Sequence, residues 1–157
     1  MKKTNKGFSL VELIIVIAIM AILAGALAPA LIKYINKSRL SSDVQTGNAI
    51  ATAIQAALAN EDAFDSAAND YSGQITAVNA LFVSSNADKF QEEVMSAIGK
   101  QAPKQKAKKD SHGSPITGNQ GSFIFQFYPT SNSITVWAGS NSDDWQVYPS
   151  VGSGMNK

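Results

Sequence analysis

Cysteine is absent from the 157 residues of this chain, and histidine occurs once. Without thiols the protein cannot form disulfides, thiolate metal sites or a cysteine nucleophile. The single histidine, His112, stands among Ser, Gly and Pro, so an exposed side chain is predicted there and a zinc site has few ligands. The folded part must therefore be stabilised by packing and hydrogen bonds, and no metal or cofactor is expected.

Charge is scarce and nearly balanced, with 16% charged residues and a net charge of +1. Such a chain has no overall field that favours nucleic acid or an acidic substrate. Carboxylates occur at 62, 65 and 70 and at 143 and 144, but their spacing does not match a calcium loop, so ordinary turn residues are predicted. The chain length fits one modest domain beside an N-terminal apolar run.

Residues 13–32 contain no charged side chain. About 20 such residues, as a helix, span the roughly 30 Å hydrocarbon core of a bilayer. Basic residues flank the run, with Lys2, Lys3 and Lys6 before it and Lys33, Lys37 and Arg39 after it. The first group predicts a cytoplasmic N-terminus by the positive-inside rule, and the second group weakens that prediction.

An ordinary secretory signal peptide is the alternative, with small-residue pairs at 24/26 and 26/28 as cleavage sites. The run is long for such a signal, whose apolar part has about 7–15 residues. Glu12, near the start of the run, also has no use in a signal that is discarded.

The stretch KGFSLVEL at residues 6–13, with basic residues before it and an apolar run after it, resembles the class III signal and N-terminus of type IV prepilins. The resemblance covers about the first 40 residues. It implies that a membrane aspartyl prepilin peptidase cuts between Gly7 and Phe8, removing the leader 1–7. Phe8 would then become the N-terminal residue and be N-methylated.

The resemblance also gives Glu12 a partner. Its carboxylate would pair with the ammonium group that cleavage creates at Phe8, within one subunit or between staggered neighbours, and would fix the register of assembly. The alternative is a carboxylate at the membrane interface beside the N-terminal lysines. Proline inside a helix predicts a kink or local melting near Gly25 and Pro29, and the resemblance implies that this stretch loses helical form in the assembled fibre.

The predicted fold class is α+β, with a long N-terminal helix packed on a small head that has an antiparallel sheet of about three strands. A fibre-core helix at 8–32 continues as an amphipathic helix at 33–60, and the head follows at 61–157. Gly47 is a weak point of this helix, where local bending is predicted. Within the head we predict a polar loop at 61–73, helical patterns at 75–82 and 87–98, a loop at 100–120, strands at 122–128, 133–138 and 145–148, and a frayed tail at 151–157. A disulfide typical of the family near the C-terminus is missing.

Four lysines cluster in the predicted loop at Lys104, Lys106, Lys108 and Lys109. Repeated along a fibre, they could bind DNA, anionic polysaccharide or a host surface through many weak contacts. The alternative is a solvated loop, since no aromatic residues lie between the lysines for stacking on bases.

The resemblance implies a structural subunit and no enzyme: a major pilin in the cytoplasmic membrane that polymerises into a surface fibre for adhesion, twitching motility, biofilm or DNA uptake. Its implied partners are copies of itself, the prepilin peptidase, assembly and retraction ATPases and a platform membrane protein. A pseudopilin of a secretion or competence system is the alternative. A signal-anchored surface binding domain is the alternative from another class.

Overall fold

The computed structural model describes residues 8–82, 86–99, 101–116, 118 and 121–155. The chain divides into two units, residues 1–35 and 36–157. The predicted leader, including Gly7, lies outside the described residues. The C-terminal unit holds all of the sheet and the hydrophobic core, so the α+β class is confirmed.

Helix α1, Leu10–Ala57, belongs to both units. In its first part the apolar side chains are exposed, whereas from Leu40 onward one stripe is buried, at Leu40, Asp43, Gly47, Ile50, Ile54 and Ala57. The spacing of three or four residues between buried positions is that of one helix face. The prediction of an amphipathic second part is confirmed, and the helix ends a turn earlier than residue 60.

Helix α2, Glu61–Asp70, replaces the polar loop predicted at 61–73, which was wrong. The Asn60 side chain accepts hydrogen bonds from the N–H groups of Asp62 and Ala63 and so caps the helix start. The two acidic residues in its first turn, Glu61 and Asp62, lie near the positive end of the helix dipole, which stabilises their charge. Ala63 and Ala67 are buried, and small side chains on that face let the helix lie close to the core.

Four strands form one antiparallel sheet in the order β1-β2-β3-β4, one strand more than predicted. They are β1 (Ile75–Ala77), β2 (Phe123–Tyr128), β3 (Ser133–Ala138) and β4 (Gln146–Tyr148). The three C-terminal strands match the predicted ones closely. The helical prediction at 75–82 was wrong for β1, which pairs with β2, while Val78–Phe82 is a short 3-10 helix.

Alternating side chains of β2 and β3 build the core. Phe123, Phe125 and Phe127 of β2 are buried, and so are Ile134 and Val136 of β3. These side chains form one cluster with the buried stripe of α1, as the predicted packing of the sheet on the long helix requires.

Helix α3, Lys89–Ile98, confirms the helix predicted at 87–98. Asp88 and Gln91 form a capping box, with side chain to backbone hydrogen bonds of 2.8 and 3.2 Å. Gly99 ends the helix at a φ of 112°. The Tyr71 hydroxyl donates to Asp88 Oδ2, and burial, with Asp88 beside it, raises the pKa of Tyr71 to about 12.

The C-terminal tail is fixed up to residue 155, so the prediction of fraying was wrong for its described part. The Gly152 N–H donates to the Gln146 carbonyl at 2.8 Å, and the Ser111 N–H donates to the Gly154 carbonyl at 2.8 Å. Met155 is buried in the core. Hydrogen bonds and one buried side chain hold this end, in a chain that has no cysteine for a disulfide.

Candidate assembly helix and basic loop

The N-terminal end of α1 is capped by its own glutamate. The Ser9 N–H donates to Glu12 Oε2 at 2.9 Å, and the Leu13 N–H donates to the Ser9 carbonyl at 3.3 Å. A glutamate at the third helical position that binds the backbone at the cap is half of a capping box. The signal for this was the sequence S-x-x-E at residues 9–12, which the interpretation of Glu12 as an assembly residue missed.

Phe8 is 87% exposed in the single chain. Its predicted role as the new N-terminus, and that of Gly7 as the residue before the cut, depend on processing and remain predictions. The same holds for the pairing of Glu12 with the Phe8 ammonium. The Glu12 carboxylate is exposed while it accepts from the Ser9 amide.

The first part of α1 is apolar on every side. Its most apolar window of 18 residues has a mean hydropathy of 2.8 and no buried residue, and by length and composition the helix can cross a membrane. A helix that is hydrophobic all round is stable only in lipid or in a packed assembly. This arrangement supports membrane anchoring.

Gly25 and Pro29 lie inside continuous helix. Helix α1 is continuous from Leu10 to Ala57, so of the predicted kink or local melting near Pro29 the melting is not seen in the single chain, and the kink stays a prediction. A Cβ atom added at Gly25 would have nothing within 4 Å. The loss of helix in the assembled fibre stays a prediction.

Asp43 joins α1 to the basic loop. Its carboxylate accepts from the Lys106 N–H at 2.8 and 3.1 Å, with one distance to each oxygen, and from the Ala107 N–H at 2.7 Å. Burial raises the pKa of Asp43, while the two backbone donors and the charge of Lys106 act in the opposite direction. Asp43 was not among the predicted functional residues, although a carboxylate three positions after Leu40 on the predicted buried face was a visible signal.

The four lysines of the loop are exposed. Lys106 Nζ donates to Ser42 Oγ at 2.9 Å. Among the described residues the only ion pair of a lysine or arginine is Lys89 with Glu92, on α3. The loop therefore carries cations whose charge is not neutralised by a direct ionic partner.

His112 is exposed as predicted, with 71% of its side chain accessible and its Nδ1 4.0 Å from Asp110 Oδ2. The Asp110 side chain binds the backbone of its own turn, since its Oδ1 accepts hydrogen bonds from the N–H groups of His112 and Ser114. Within the described ranges no three acidic or histidine side chains come together as a metal site would require. Asp62 lies in the first turn of α2, and Asp143 and Asp144 lie in a short 3-10 helix.

A family profile described as "Prokaryotic N-terminal methylation motif" matches residues 2–28. Comparison with curated proteins and with solved structures gave no significant match. The matched segment contains Gly7, Phe8 and Glu12 and most of the apolar run. This match supports a pilin-like or pseudopilin-like function in general terms, and together with the apolar helix it supports membrane anchoring. Residues 2–28 of this chain therefore carry a prokaryotic N-terminal methylation motif, the kind of segment that forms the class III signal of type IV pilins.

Proposed function

We propose that this chain is the major subunit of a type IV pilus. Residues 1–7 are the leader, residues 8–32 pack as the fibre core, residues 33–60 connect to the head, and residues 61–157 form most of the fibre surface. The fibre serves adhesion, twitching motility, biofilm formation or DNA uptake. Prepilin peptidase, the assembly and retraction ATPases and a platform membrane protein are its partners.

The observation that carries this proposal is the surface of the first part of α1. Apolar side chains are exposed on every side, and its one carboxylate stands at the helix start, bound to the Ser9 amide. A charge at this depth in lipid is costly unless it is paired. Processing after Gly7 creates an ammonium group at Phe8, next to Ser9. Pairing of this ammonium with the Glu12 carboxylate of a neighbouring subunit would fix how far one subunit is shifted along the next.

The first experiment is the intact mass of the protein purified from the cell surface. We expect a mature chain that starts at Phe8 and carries one added methyl group. A chain that starts near residue 28 would contradict the proposal, because the apolar helix would have been discarded.

The second experiment separates the capping role of Glu12 from the pairing role. Glu12→Gln keeps an oxygen that accepts from the Ser9 amide but carries no charge, whereas Glu12→Leu loses both. We expect both variants to be inserted and processed, with fibre yield reduced at least about tenfold, a difference of about 1.4 kcal/mol per subunit or more. Normal fibre yield from Glu12→Gln would show that the carboxylate only caps its helix.

Fibre length distinguishes the pilin from the pseudopilin alternative. We expect long surface fibres, visible by electron microscopy on cells that express the chain at its natural level. Short assemblies confined to the cell envelope would favour the pseudopilin.

A further inference from the structure

Two basic segments have no role in the proposed polymerisation. Lys37 and Arg39 follow the apolar run on the side to which the head is exported, where the positive-inside rule disfavours them. The loop lysines lie more than sixty residues further along the chain. We define the basic base of the head as Lys37, Arg39, Lys104, Lys106, Lys108 and Lys109.

Three contacts hold these segments side by side. Asn36 Nδ2 donates to the Asp110 carbonyl at 3.1 Å, at one end of the loop. Ser42 and Asp43 bind Lys106 and Ala107, in its middle. Residues 36–43 of α1 therefore run along residues 106–110.

The loop is held in one conformation by its backbone. The Gln105 N–H donates to the Gly121 carbonyl at 3.1 Å, and the Ile116 N–H donates to the Lys108 carbonyl at 3.0 Å. Ala107 is buried, while the lysines on either side of it are exposed. In an extended segment alternate side chains leave the same face about 7 Å apart, so Lys104, Lys106 and Lys108 form a row of cations, and Lys109 follows directly.

Charge is separated within the head. The basic base has six cations, and with the neighbouring Asp43 and Asp110 its net charge is +4, against +1 for the whole chain. Helices α2 and α3 with the cap residue Asp88 contain one lysine and seven acids: Glu61, Asp62, Asp65, Asp70, Asp88, Glu92 and Glu93. Helix α2 begins beyond the C-terminal end of α1, about 30 Å of helix rise from Asn36.

The basic base must lie near the bilayer surface in the anchored subunit. Asn36 follows the end of the apolar run by four residues, and a chain of that length reaches at most about 14 Å in any conformation. Asn36 also contacts the loop directly. The Debye length is about 8–10 Å at physiological ionic strength, so some of these cations lie within electrostatic reach of lipid headgroups.

We propose that the basic base docks on the anionic phosphate headgroups of the membrane in which the unassembled subunit is anchored. The inference rests on the membrane-anchored state in the proposed function and does not require the fibre. Juxtamembrane lysines and arginines bind anionic lipid surfaces additively. Repulsion of the acidic helices α2 and α3 from the same surface favours the orientation in which the basic base faces the lipid.

This surface fits a bilayer better than it fits DNA. The lysines alternate with Gln105 and Ala107, which cannot stack on bases. The bilayer is also at a fixed short distance in every anchored subunit, whereas soluble DNA must be captured from solution. DNA binding is therefore the rival outcome of the test.

The test measures lysine protection in the full chain reconstituted into vesicles. A membrane-impermeant amine reagent labels the heads on the outer face, and mass spectrometry gives the labelling rate of each lysine. Vesicles of neutral phosphatidylcholine are compared with vesicles that contain about 30% phosphatidylglycerol. Lys89, exposed on α3 among the acids, is the internal control.

In anionic vesicles we expect labelling of Lys106, Lys108 and Lys109 to fall at least about threefold, with recovery in about 0.5 M salt and no change at Lys89. Equal labelling in both vesicle types would overturn the proposal. Protection by DNA added to neutral vesicles, without protection by anionic lipid, would assign the surface to a soluble polyanion and also overturn it.

Asp43 serves here as a positioning residue. In Asp43→Asn the cations are unchanged but one acceptor for the loop amides is lost, so the protection should weaken at all three lysines together. Lys104→Gln, with its backbone contacts kept, should lower protection only in proportion to its one charge. Unchanged protection in Asp43→Asn would contradict the proposal that Asp43 positions the loop lysines.

The Glu12→Leu variant keeps this test independent of the fibre. It should show the same lysine protection as the wild-type chain, because we expect it to be anchored in the membrane but to polymerise poorly. If Glu12→Leu formed normal fibres, the proposed role of Glu12 in assembly would be wrong, but protection of the lysines by anionic lipid would still support docking. If the lysines were unprotected in both proteins, the proposed docking on lipid would be wrong, but the effect of Glu12→Leu on fibre yield would still support the proposed assembly.

Discussion

The two parts of α1 are both helical, but their side chains are constrained by different interactions. From residue 10 to residue 35 the side chains are exposed and, apart from Glu12 and Lys33, largely apolar, and a Cβ atom at Gly25 would have nothing within 4 Å. From residue 36 to residue 57 each buried position has its own partner, such as Val147 above Gly47 and the loop amides at Asp43. In the single chain the first part is constrained only by hydropathy, and the second part by individual contacts. Substitutions in the second part should therefore change the stability of the head, whereas substitutions in the first part should leave it unchanged.

The largest effect on the head is expected from Asp43→Ala. It leaves the N–H groups of Lys106 and Ala107 without their acceptor, at a cost of about 2–4 kcal/mol in the free energy of unfolding. Urea unfolding of the full chain in detergent, followed by the fluorescence of Trp137 and Trp145, reports on the head alone, since the chain has no other tryptophan. Asp65→Ala, an exposed acid on α2, is the matched control and should be near neutral.

The contribution of Asp43 should depend on pH. Burial raises its pKa in the folded state above the ordinary value of 3.8, so the folded state binds the proton more tightly than the unfolded state does. This contribution is complete below that ordinary value and is lost as the pH rises through the folded pKa. We expect the stability of the wild-type chain relative to Asp43→Asn to increase from neutral pH down to about pH 3.5. A decrease would show that the amide hydrogen bonds outweigh desolvation.

The next effect is expected from Gly47→Ala. An added Cβ atom would overlap Val147 Cγ2, so the helix or the sheet must shift. Overpacking of this kind costs about 1–3 kcal/mol, more than the gain in helix propensity. Val147→Ala removes the clashing methyl groups, and the double variant should recover part of the loss. Additive effects of the two substitutions would contradict this contact.

A smaller effect, about 1 kcal/mol, is expected from Asn60→Ala, which removes the acceptor at the start of α2. Asn60→Ser should retain most of the stability, because a hydroxyl group can replace the cap. Both are measured by the same urea unfolding. Equal losses in the two variants would indicate that the hydrogen bond from Asn60 to Glu93, and not the cap, is what matters.

The smallest effect is expected from Gly25→Ala. Alanine improves the helix by about 0.5–1 kcal/mol and meets no neighbour. The urea midpoint of the head should not change, while fibres of this variant should extend less under load because the stretch up to Pro29 resists loss of helix. A shift of the head midpoint would break the comparison between the two parts of α1.

Local patterns were sufficient to predict part of this fold. Phe90 and Val94 at helical spacing, followed by Gly99, predicted α3, and alternating Phe123, Phe125 and Phe127 predicted β2. Helix α2 was missed because its Asp, Asn, Ser and Ala residues resemble a loop in composition, although Asn60 with the following acids was a readable cap. The short strand β1 could not be predicted locally, because its partner β2 lies about fifty residues away.

The site divides in the same way. The roles predicted for Glu12 and Phe8 rest on a motif that is contiguous in sequence, and residues 2–28 match it. Asp43 was missed because its partners, Lys106 and Ala107, are more than sixty residues away and are backbone groups, which no residue-type pattern marks. Burial of Met155 also depends on nonlocal packing.

The contact between Gly47 and Val147 has a mechanical consequence. If α1 turned or slid beneath the sheet by one residue, Thr46 or Asn48 would take the place of Gly47, and neither leaves room for the valine methyl groups. Residues 36–57 and the sheet therefore resist twisting about the helix axis as well as sliding along it. Torque or tension applied to α1 at Asn36 is transmitted to the head as a rigid body.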